Sequence, residues 1–449
     1  MSGAAQARIQ SWSGTEEAFP LVRAVPGSED EVAAVLAHAS AEDLPVKPAG
    51  ALHSFNGVAL TDGVSLSLDR MQRILAVDAE AGTVRVQAGI RLHRLMAALH
   101  ELGLALPVRG SVDEQSVAGA ISTATHGSAP RVGNLASLVT AMRLVTADGQ
   151  AHRLSRRSAP DTFAAARVGL GALGVISEVT MRVVPAFRLA ETVESLPYDE
   201  AAGRIEEIRT TSEFVKLWWL PTTDRLLVFR YERTDEPVTS APLADRVSGW
   251  VDTNVVNRTV IPALWQGLRV VPAAMNLVAR GFSASYFRPR RTVGESHRIL
   301  GLAMPYPHRE AAWVIPVDRA GDALRAVRDT AQRERLRLDM IQEFRFVAAD
   351  DAWMSPMYGR DSFVVGAITG RSADTDRYFA AVQALSRDLG GRPHWAKEFD
   401  LTPEDLRALY PRYDDFRRVR ADVDPAGMFR NAFLDRLLPA EDRGTRGEE

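Results

Sequence analysis

Short strand-like and helix-like segments alternate through the first 185 residues, and this alternation restricts the fold more than any other feature of the sequence. The segment SEDEVAAVLAHAS predicts a helix capped by Ser28, because Glu31 follows three positions later and Val32 and Leu36 repeat at helical spacing. ILAVDAEAGTVRVQAG predicts two strands around a turn at Ala81-Gly82. The apolar face of the next predicted helix consists of Leu92, Leu95, Met96, Leu99 and Leu102. Such a pattern is typical of a mixed α+β fold built from short units.

The chain is long enough for two or three domains, and its pattern becomes less regular after Pro185. We therefore predict one domain over residues 1–187, a second over 188–437 and a tail over 438–449. The segments predicted in the second domain are strands at VKLWWLP and RLLVFRYER, an apolar helical region around 256–282, a strand at WVIPV, a helix at 318–335 and a strand at LDMIQEFRFVA.

Composition excludes several classes of protein. The sequence has no cysteine, which excludes disulfides, thiolate metal sites and cysteine nucleophiles, and its nine histidines lack metal-ligand spacing, so no metal site is predicted. A net charge of −3 gives no general attraction to nucleic acid or to an anionic membrane. The N-terminus lacks a signal peptide core, and no apolar run approaches the roughly 20 residues of a membrane helix. We expect a soluble, cytoplasmic, monomeric protein.

A glycine motif near residue 170 matches a dinucleotide-binding fingerprint only in its letters. Gly169, Gly171 and Gly174 satisfy G-x-G-x-x-G, but that fingerprint must follow a strand and open a helix. Here a helix-like DTFAAARV precedes the motif and a strand-like VISEVTMRVV follows it. We interpret the segment as a turn whose backbone lies close to a flavin-type cofactor.

Three further features carry possible chemistry, and each also has an ordinary structural explanation. His53 lies in the loop PAGALHSFNG, where a histidine is commonly a hydrogen-bonded surface residue. Glu343 and Arg345 share one face of the strand in MIQEFRFVA, as an exposed ion pair would. Trp395 and Lys397 lie together if HWAK is extended, as a surface cation–π pair would. None of the three is decisive alone.

Together with SVAGAISTATHGS, LGALGVIS and the closing HWAK, LYPRYDDF and DPAGMFRNAFL, these features resemble the sugar-alcohol and aldonolactone oxidases. These enzymes belong to the vanillyl-alcohol-oxidase superfamily with its FAD-binding PCMH-type domain. The resemblance extends from about residue 10 to 437. It is greatest to bacterial alditol (xylitol) oxidases, and gulonolactone oxidases and dehydrogenases rank second. It implies a two-lobed FAD-binding domain and a substrate or cap domain with a mixed or antiparallel sheet flanked by helices.

The resemblance also implies how FAD is held. His53 would be joined covalently to the 8α-methyl group of the flavin, which raises the oxidising power of the cofactor, and the loop before it would hold the pyrophosphate through backbone N–H groups. The remaining residues that it assigns to FAD are Ala49, Gly50, Ala51, Leu52, Ser54, Phe55, Gly110, Ser111, Ser116, Gly119, Ala120, Ile121, Ser122, His126, Gly127 and Ile176.

On the substrate side, the resemblance assigns Ser111, Glu343, Arg345 and Lys397 to the space before flavin N5. The implied reaction oxidises an alcohol group of a carbohydrate by hydride transfer to N5, with molecular oxygen as acceptor and hydrogen peroxide as product. Gly110 favours an oxidase, because the smallest residue would leave oxygen a path to the flavin. The alternatives are an aldonolactone dehydrogenase of the gulonolactone type and a non-catalytic flavin-binding protein with a degenerate pocket.

Four positions depart from the family pattern. Leu52 and Ala396 replace glycines, while Gly366 and Ile368 stand where alditol oxidases have a histidine and a threonine. Lactone enzymes have a histidine at the position of Ile368. Because an unmatched buried polar group costs about 1–3 kcal/mol, a site that has lost such partners should bind small polyols weakly. We therefore predict poor oxidation of xylitol and sorbitol, and a modified sugar, cyclitol or glycosidic metabolite as substrate.

Overall fold

The computed structural model describes residues 8–221, 223–239, 290–301, 307–370 and 372–439. The helical region predicted around 256–282 lies outside these ranges. No helix within them is both long and apolar enough to cross a membrane.

Twelve short strands occupy the described residues up to 185. They are β1 (Ile9–Gln10), β2 (Glu17–Ala18), β3 (Val22–Ala24), β4 (Val46–Ala49), β5 (Val64–Ser67), β6 (Ile74–Asp78), β7 (Thr83–Gln87), β8 (Leu104–Ala105), β9 (Val139–Val145), β10 (Ala151–Ser155), β11 (Val175–Arg182) and β12 (Val184–Pro185). A parallel sheet has the order β3-β5-β4, and an antiparallel sheet has the order β10-β9-β11-β7-β6. Strand β4 ends at Ala49, and the loop that contains His53 follows directly.

One antiparallel sheet dominates the rest of the chain. Its strands are β13 (Arg188–Pro197), β14 (Phe214–Trp219), β15 (Arg225–Thr234), β16 (Arg290–Glu295), β17 (Arg309–Pro316), β18 (Gln342–Val347), β19 (Ser362–Thr369) and β20 (Arg392–Pro393). They are ordered β16-β13-β15-β14-β18-β19-β17-β20. The predicted α+β class is confirmed. The predicted sheet flanked by helices in the second part of the chain is antiparallel.

Helices cover both parts. The α-helices of the described residues span Glu29–Ala41, Leu92–Glu101, Val117–Ser122, Pro160–Ala166, Tyr198–Gly203, Ile205–Thr210, Ser296–Ile299, Ala320–Arg333, Thr375–Asp388, Pro403–Leu409, Tyr413–Val423 and Ala432–Leu437, and 3₁₀ turns span Gly57–Ala59, Leu135–Leu138 and Val317–Arg319. The Ser28 cap is confirmed, since its hydroxyl accepts the backbone N–H of Glu31 at 3.1 Å. Leu102 was wrongly predicted on the apolar face, because the helix ends at Glu101 and Leu102 is 58% exposed.

The C-terminal third of the chain packs back onto the His53 loop. The backbone N–H of Phe55 donates to the carbonyl of Ala396 at 2.7 Å, and the Asn56 amide donates to the carbonyl of Lys397 at 2.7 Å. The Asn431 amide donates to the carbonyl of Leu60 at 2.7 Å. These bonds join segments about 340–370 residues apart, so the loop is held by the tertiary fold as well as by its own turns.

Candidate active site

Two cavities meet at His53. The first, of about 100 Å³, is a groove between the loop that follows β4, the helix Val117–Ser122 and the segment before β11. The second, of about 830 Å³, opens onto one face of the large sheet. His53 and Gln115 line both cavities. A molecule that fills the groove can therefore extend one end into the second cavity.

Most of the residues predicted to hold a cofactor lie along these walls. Those that line the groove are Ala49, Gly50, Ala51, Leu52, His53, Ser54, Ser116, Gly119, Ser122 and Ile176. Those that line the second cavity are His53, Phe55, Gly110, Ser111 and His126. Ala120 and Ile121 do not line either cavity, because their helix turns them into the hydrophobic core, where both are 0% exposed. Gly127 borders a smaller void beside Lys216.

The glycine motif at 169–174 lies in the groove wall. It follows the helix Pro160–Ala166 and precedes β11, as predicted, so it cannot serve as a dinucleotide fingerprint. Gly171 and Gly174 adopt φ values of +61° and +143°, which glycine accepts more readily than other residues. The buried Lys47 ammonium donates to the carbonyls of Leu170 and Gly171 at 2.8 and 3.0 Å. The lysine thus ties this wall to β4.

The lining of the groove is chemically suited to FAD. A Cβ added to Gly50 would lie 2.5 Å from Ser116 Oγ, so only glycine lets the two walls approach this closely. The walls are mainly backbone, glycine, alanine and serine, which suits a cofactor held through N–H groups and hydroxyls. When bound, FAD would supply the two-electron oxidising power that the side chains lack.

His53 is kept neutral where the cavities join. Burial, with the charges of Lys397 and Arg91, lowers the pKa of His53 to about 4. Its ring stacks on Trp12 with centroids 5.5 Å apart and planes 23° apart. The backbone N–H of Trp12 donates to the carbonyl of Leu52 at 2.7 Å. The N-terminal segment therefore holds both the ring and the loop of His53.

Leu52 adopts a backbone conformation that favours glycine. Its φ is +54°, a conformation that costs a non-glycine residue roughly 1–3 kcal/mol. The side chain packs against Ile9, Ala18 and Leu60, which lie in or beside the β1–β2 hairpin. This burial offsets the backbone cost. The loop thus keeps its path despite the larger residue.

An ion pair on β18 faces the second cavity. Glu343 and Arg345 lie on the same face of the strand, as predicted, with 9% and 15% of their side chains exposed, and Arg345 Nη2 donates to Glu343 Oε2. Arg345 Nη2 also donates to Ser111 Oγ at 2.7 Å, and Trp218 Nε1 donates to Glu343 Oε1 at 3.1 Å. Burial would raise the pKa of Glu343, but Arg345 and Lys216 hold it below its ordinary value. The site therefore presents a fixed guanidinium beside an ionised carboxylate.

Lys397 differs in part from its prediction. HWAK forms a turn and not an extended segment, so Trp395 turns inward and donates through Nε1 to the carbonyl of Met354 at 2.6 Å. The Lys397 ammonium instead lies over the Phe55 ring, 4.2 Å from its centroid, and donates to Glu310 Oε2. Glu310, on β17, also lines the second cavity. A second carboxylate–cation pair thus faces the same space.

Two buried histidines complete the wall. His126 Nδ1 donates to the carbonyl of Gly127 at 2.8 Å, while His394 Nδ1 accepts the backbone N–H of Ala396 at 3.1 Å. The bonds specify opposite tautomers: Nε2 of His126 carries a lone pair and Nε2 of His394 carries the proton. Burial, with the charge of Arg345, lowers the pKa of His126 to about 4. Burial also lowers the pKa of His394 well below its usual value.

These histidines predict loss of stability in acid. In the folded protein His126 stays neutral down to about pH 4, whereas in the unfolded chain it takes a proton near 6.5. The unfolded state therefore binds more protons between these values, and the fold loses about 2 kcal/mol through His126 between pH 7 and pH 5. Urea unfolding measures the free energy of unfolding at pH 7 and at pH 5. We expect the decrease between these two pH values to be about 2 kcal/mol smaller in His126→Gln than in the wild type.

The matched control is His152→Gln, on an exposed strand position, which should lose as much stability in acid as the wild type. Equal losses in all three proteins would contradict the proposed neutral state of His126.

Several site residues were not anticipated from the sequence. Trp12, Glu310, His308 and Arg109 line the second cavity without belonging to a motif that was singled out. His394 is the first residue of HWAK, but no role was predicted for it. Only the alternation of β17 could have placed Glu310 on the same sheet face as Ala312, and nothing local indicated that this face borders a cavity.

Comparison with known proteins gives matches along nearly the whole chain. Residues 20–155 match the FAD binding domain family, and residues 179–437 match the D-arabinono-1,4-lactone oxidase family. The L-gulono-1,4-lactone dehydrogenase of Mycobacterium tuberculosis is 33% identical over 431 residues, covering 95% of this chain and 98% of that protein. The L-gulonolactone oxidase of Bos taurus is 31% identical, covering 96% and 98%. A crystal structure of cholesterol oxidase from B. sterolicum is 18% identical, superposes with a TM-score of 0.81 and covers 96% of each chain, which shows a shared fold.

The two-lobed fold, the groove and the matched FAD binding domain define a PCMH-type FAD-dependent oxidoreductase. More narrowly, the chain belongs to the D-arabinono-1,4-lactone oxidase family, whose members among its relatives include aldonolactone oxidases and dehydrogenases. The motifs suggested a stronger likeness to alditol oxidases than to lactone enzymes. The relatives named here are instead a lactone dehydrogenase and a lactone oxidase. They favour the lactone alternative over sugar-alcohol oxidation.

Proposed function

We propose that this protein oxidises a neutral aldonolactone or a closely related polyhydroxylated ring with FAD. The observation that carries the proposal is the Glu343–Arg345–Ser111 cluster, which faces the cavity into which the cofactor groove opens. The named relatives act on gulonolactone, which supports a lactone before a sugar alcohol. Arg345 and Lys397 are each paired with a carboxylate, so the site is suited to an uncharged substrate.

The side chains would bind, orient and stabilise charge. Arg345 and Lys397 are fixed cations that can stabilise negative charge on a substrate oxygen as its hydroxyl proton leaves. Glu343 can accept a hydrogen bond from a substrate hydroxyl and keeps Arg345 in place. The Nε2 lone pair of His126 is a candidate acceptor for the departing proton, since Nδ1 is engaged with Gly127.

We further propose that His53 is the point of covalent FAD attachment and that molecular oxygen is the electron acceptor. The neutral imidazole at the junction of the cavities supports the first proposal. The second is supported by Gly110, where a Cβ would lie 3.1 Å from Thr125 Cγ2, so a larger residue would narrow this wall.

A substrate panel tests the proposed function. Anaerobic bleaching of the flavin by gulono-, galactono- and arabinono-1,4-lactones should be faster than bleaching by xylitol or sorbitol. Peroxide formation in air, compared with reduction of an artificial dye, then separates an oxidase from a dehydrogenase. Faster bleaching by the two alditols than by every lactone would overturn the lactone proposal.

A further inference from the structure

Glu310 lies across the cavity from Glu343, and the sheet register fixes this relation. On β18 and β19 Glu343 pairs with Gly366, and on β19 and β17 Gly366 pairs with Ala312 and Ile368 with Glu310. Paired residues of antiparallel strands, and residues two positions apart, share one face of a sheet. The two carboxylates therefore stand on the same face with one strand between them, on strands about 10 Å apart.

The strand between them is bare and apolar. The residues of this face that line the cavity are Val364, Gly366 and Ile368. At Gly366 there is no side chain to cover the sheet, and an added Cβ would lie 3.0 Å from the carbonyl of Glu343. A ring can therefore lie with its apolar face on this strand.

The side chain of Glu310 is oriented toward the uncovered part of the sheet at Gly366. Lys397 donates to Oε2, and His308 Nε2 lies 3.8 Å from the same oxygen. A Cβ on Gly366 would lie 3.8 Å from the other oxygen, Oε1. The side chain keeps 15% of its surface exposed and lines the cavity. Oε1 is thus placed to accept a hydrogen bond from a molecule lying over Gly366.

We propose that Glu310 is a second substrate-binding carboxylate, which accepts a hydroxyl group on the edge of the substrate ring opposite the edge held by Glu343 and Arg345. The inference rests on the proposed function and narrows its substrate class. The substrate is a neutral five- or six-membered ring with hydroxyl donors on two opposite edges and an apolar face. A ring without a hydroxyl at the edge nearest Glu310 would give Oε1 of this carboxylate no donor from the substrate.

The test compares Glu310→Gln with wild type on a lactone that the wild type oxidises and on deoxy analogues that each lack one hydroxyl. For the full lactone we expect kcat/KM to fall about 10- to 100-fold, mainly through KM. For the analogue that lacks the Glu310-bound hydroxyl we expect little further loss. A uniform fall on all substrates, carried by kcat alone, would mean that Glu310 acts only through Lys397 and would overturn the proposal.

Glu398→Gln is the matched control. Glu398 pairs with Arg309 at 2.6 Å, has 18% of its side chain exposed and lines a different surface groove. Glu398→Gln removes the same charge as Glu310→Gln. Glu398 is next to Lys397 in the chain, but it does not line the substrate cavity. Its kinetics should therefore follow the wild type on every substrate, and equal losses in both variants would also overturn the proposal.

Measurements of ring binding distinguish a failure of this inference from a failure of the proposed function. If the wild type oxidises no lactone, shifts in flavin absorbance can measure binding of lactones, pyranoses and cyclitols. Binding of one of these rings that weakens in Glu310→Gln would support recognition by Glu310 although the proposed reaction is wrong. If none of these rings binds, both proposals fail.

Discussion

Arg345→Met is expected to slow substrate oxidation by about 10²–10³-fold, the cost of removing one charge-stabilising donor from an enclosed site. Arg345 is held by Glu343 and Ser111 and faces the cavity, so its guanidinium is already oriented before substrate binds. The rate of flavin bleaching in anaerobic stopped flow measures the effect directly. FAD content should remain normal, because Arg345 does not line the groove.

Removing Arg345 also leaves the carboxylate of Glu343 without its main partner. Since Arg345 helps to hold the pKa of Glu343 below its ordinary value, the variant should show a raised pKa in its pH–rate profile. Arg345→Lys keeps the charge but loses the planar fork, so an intermediate rate is expected. Arg309→Met, which removes a guanidinium that is bound to Glu398 outside this cavity, is the control for general damage. Wild-type bleaching rates in Arg345→Met would contradict the role proposed for it.

His53→Ala is expected to abolish covalent flavin retention completely. After acid precipitation, the wild-type pellet should keep its yellow colour and flavin fluorescence, while the variant should release both into the supernatant. The physical reason is that His53 stands at the junction of the cavities with a pKa of about 4, so its imidazole is a neutral nucleophile at pH 7. Before precipitation, the variant should still bind FAD, because the other groove residues are unchanged.

Two variants make this experiment specific. His152→Ala removes an exposed histidine and should retain flavin as the wild type does. Leu52→Gly introduces the residue that the resemblance predicts at this position, whose φ is +54°, and glycine accepts this conformation, so retention should persist there too. Release of flavin from the wild type would show that no covalent bond forms at His53. Retention in His53→Ala would place the attachment at another residue.

Local sequence patterns determined the elements that depend on near neighbours. Ser28 caps its helix through a residue three positions away, and Glu343 and Arg345 share a face because every strand alternates. The order of helix, glycine motif and strand at 160–182 likewise excluded a dinucleotide fingerprint without any knowledge of the fold. These features involve interactions over a few residues, which the sequence displays directly.

The tertiary structure alone decided which of those elements meet. Lys397 contacts Phe55 and Glu310 and not Trp395, because HWAK turns against a loop about 340 residues away. Glu310 became a site residue only because β17, β19 and β18 are neighbours in the sheet, an order that chain sequence does not follow. Long-range partners such as these are selected by the packing of the whole core, where many weak contacts decide together, and no single segment contains that information.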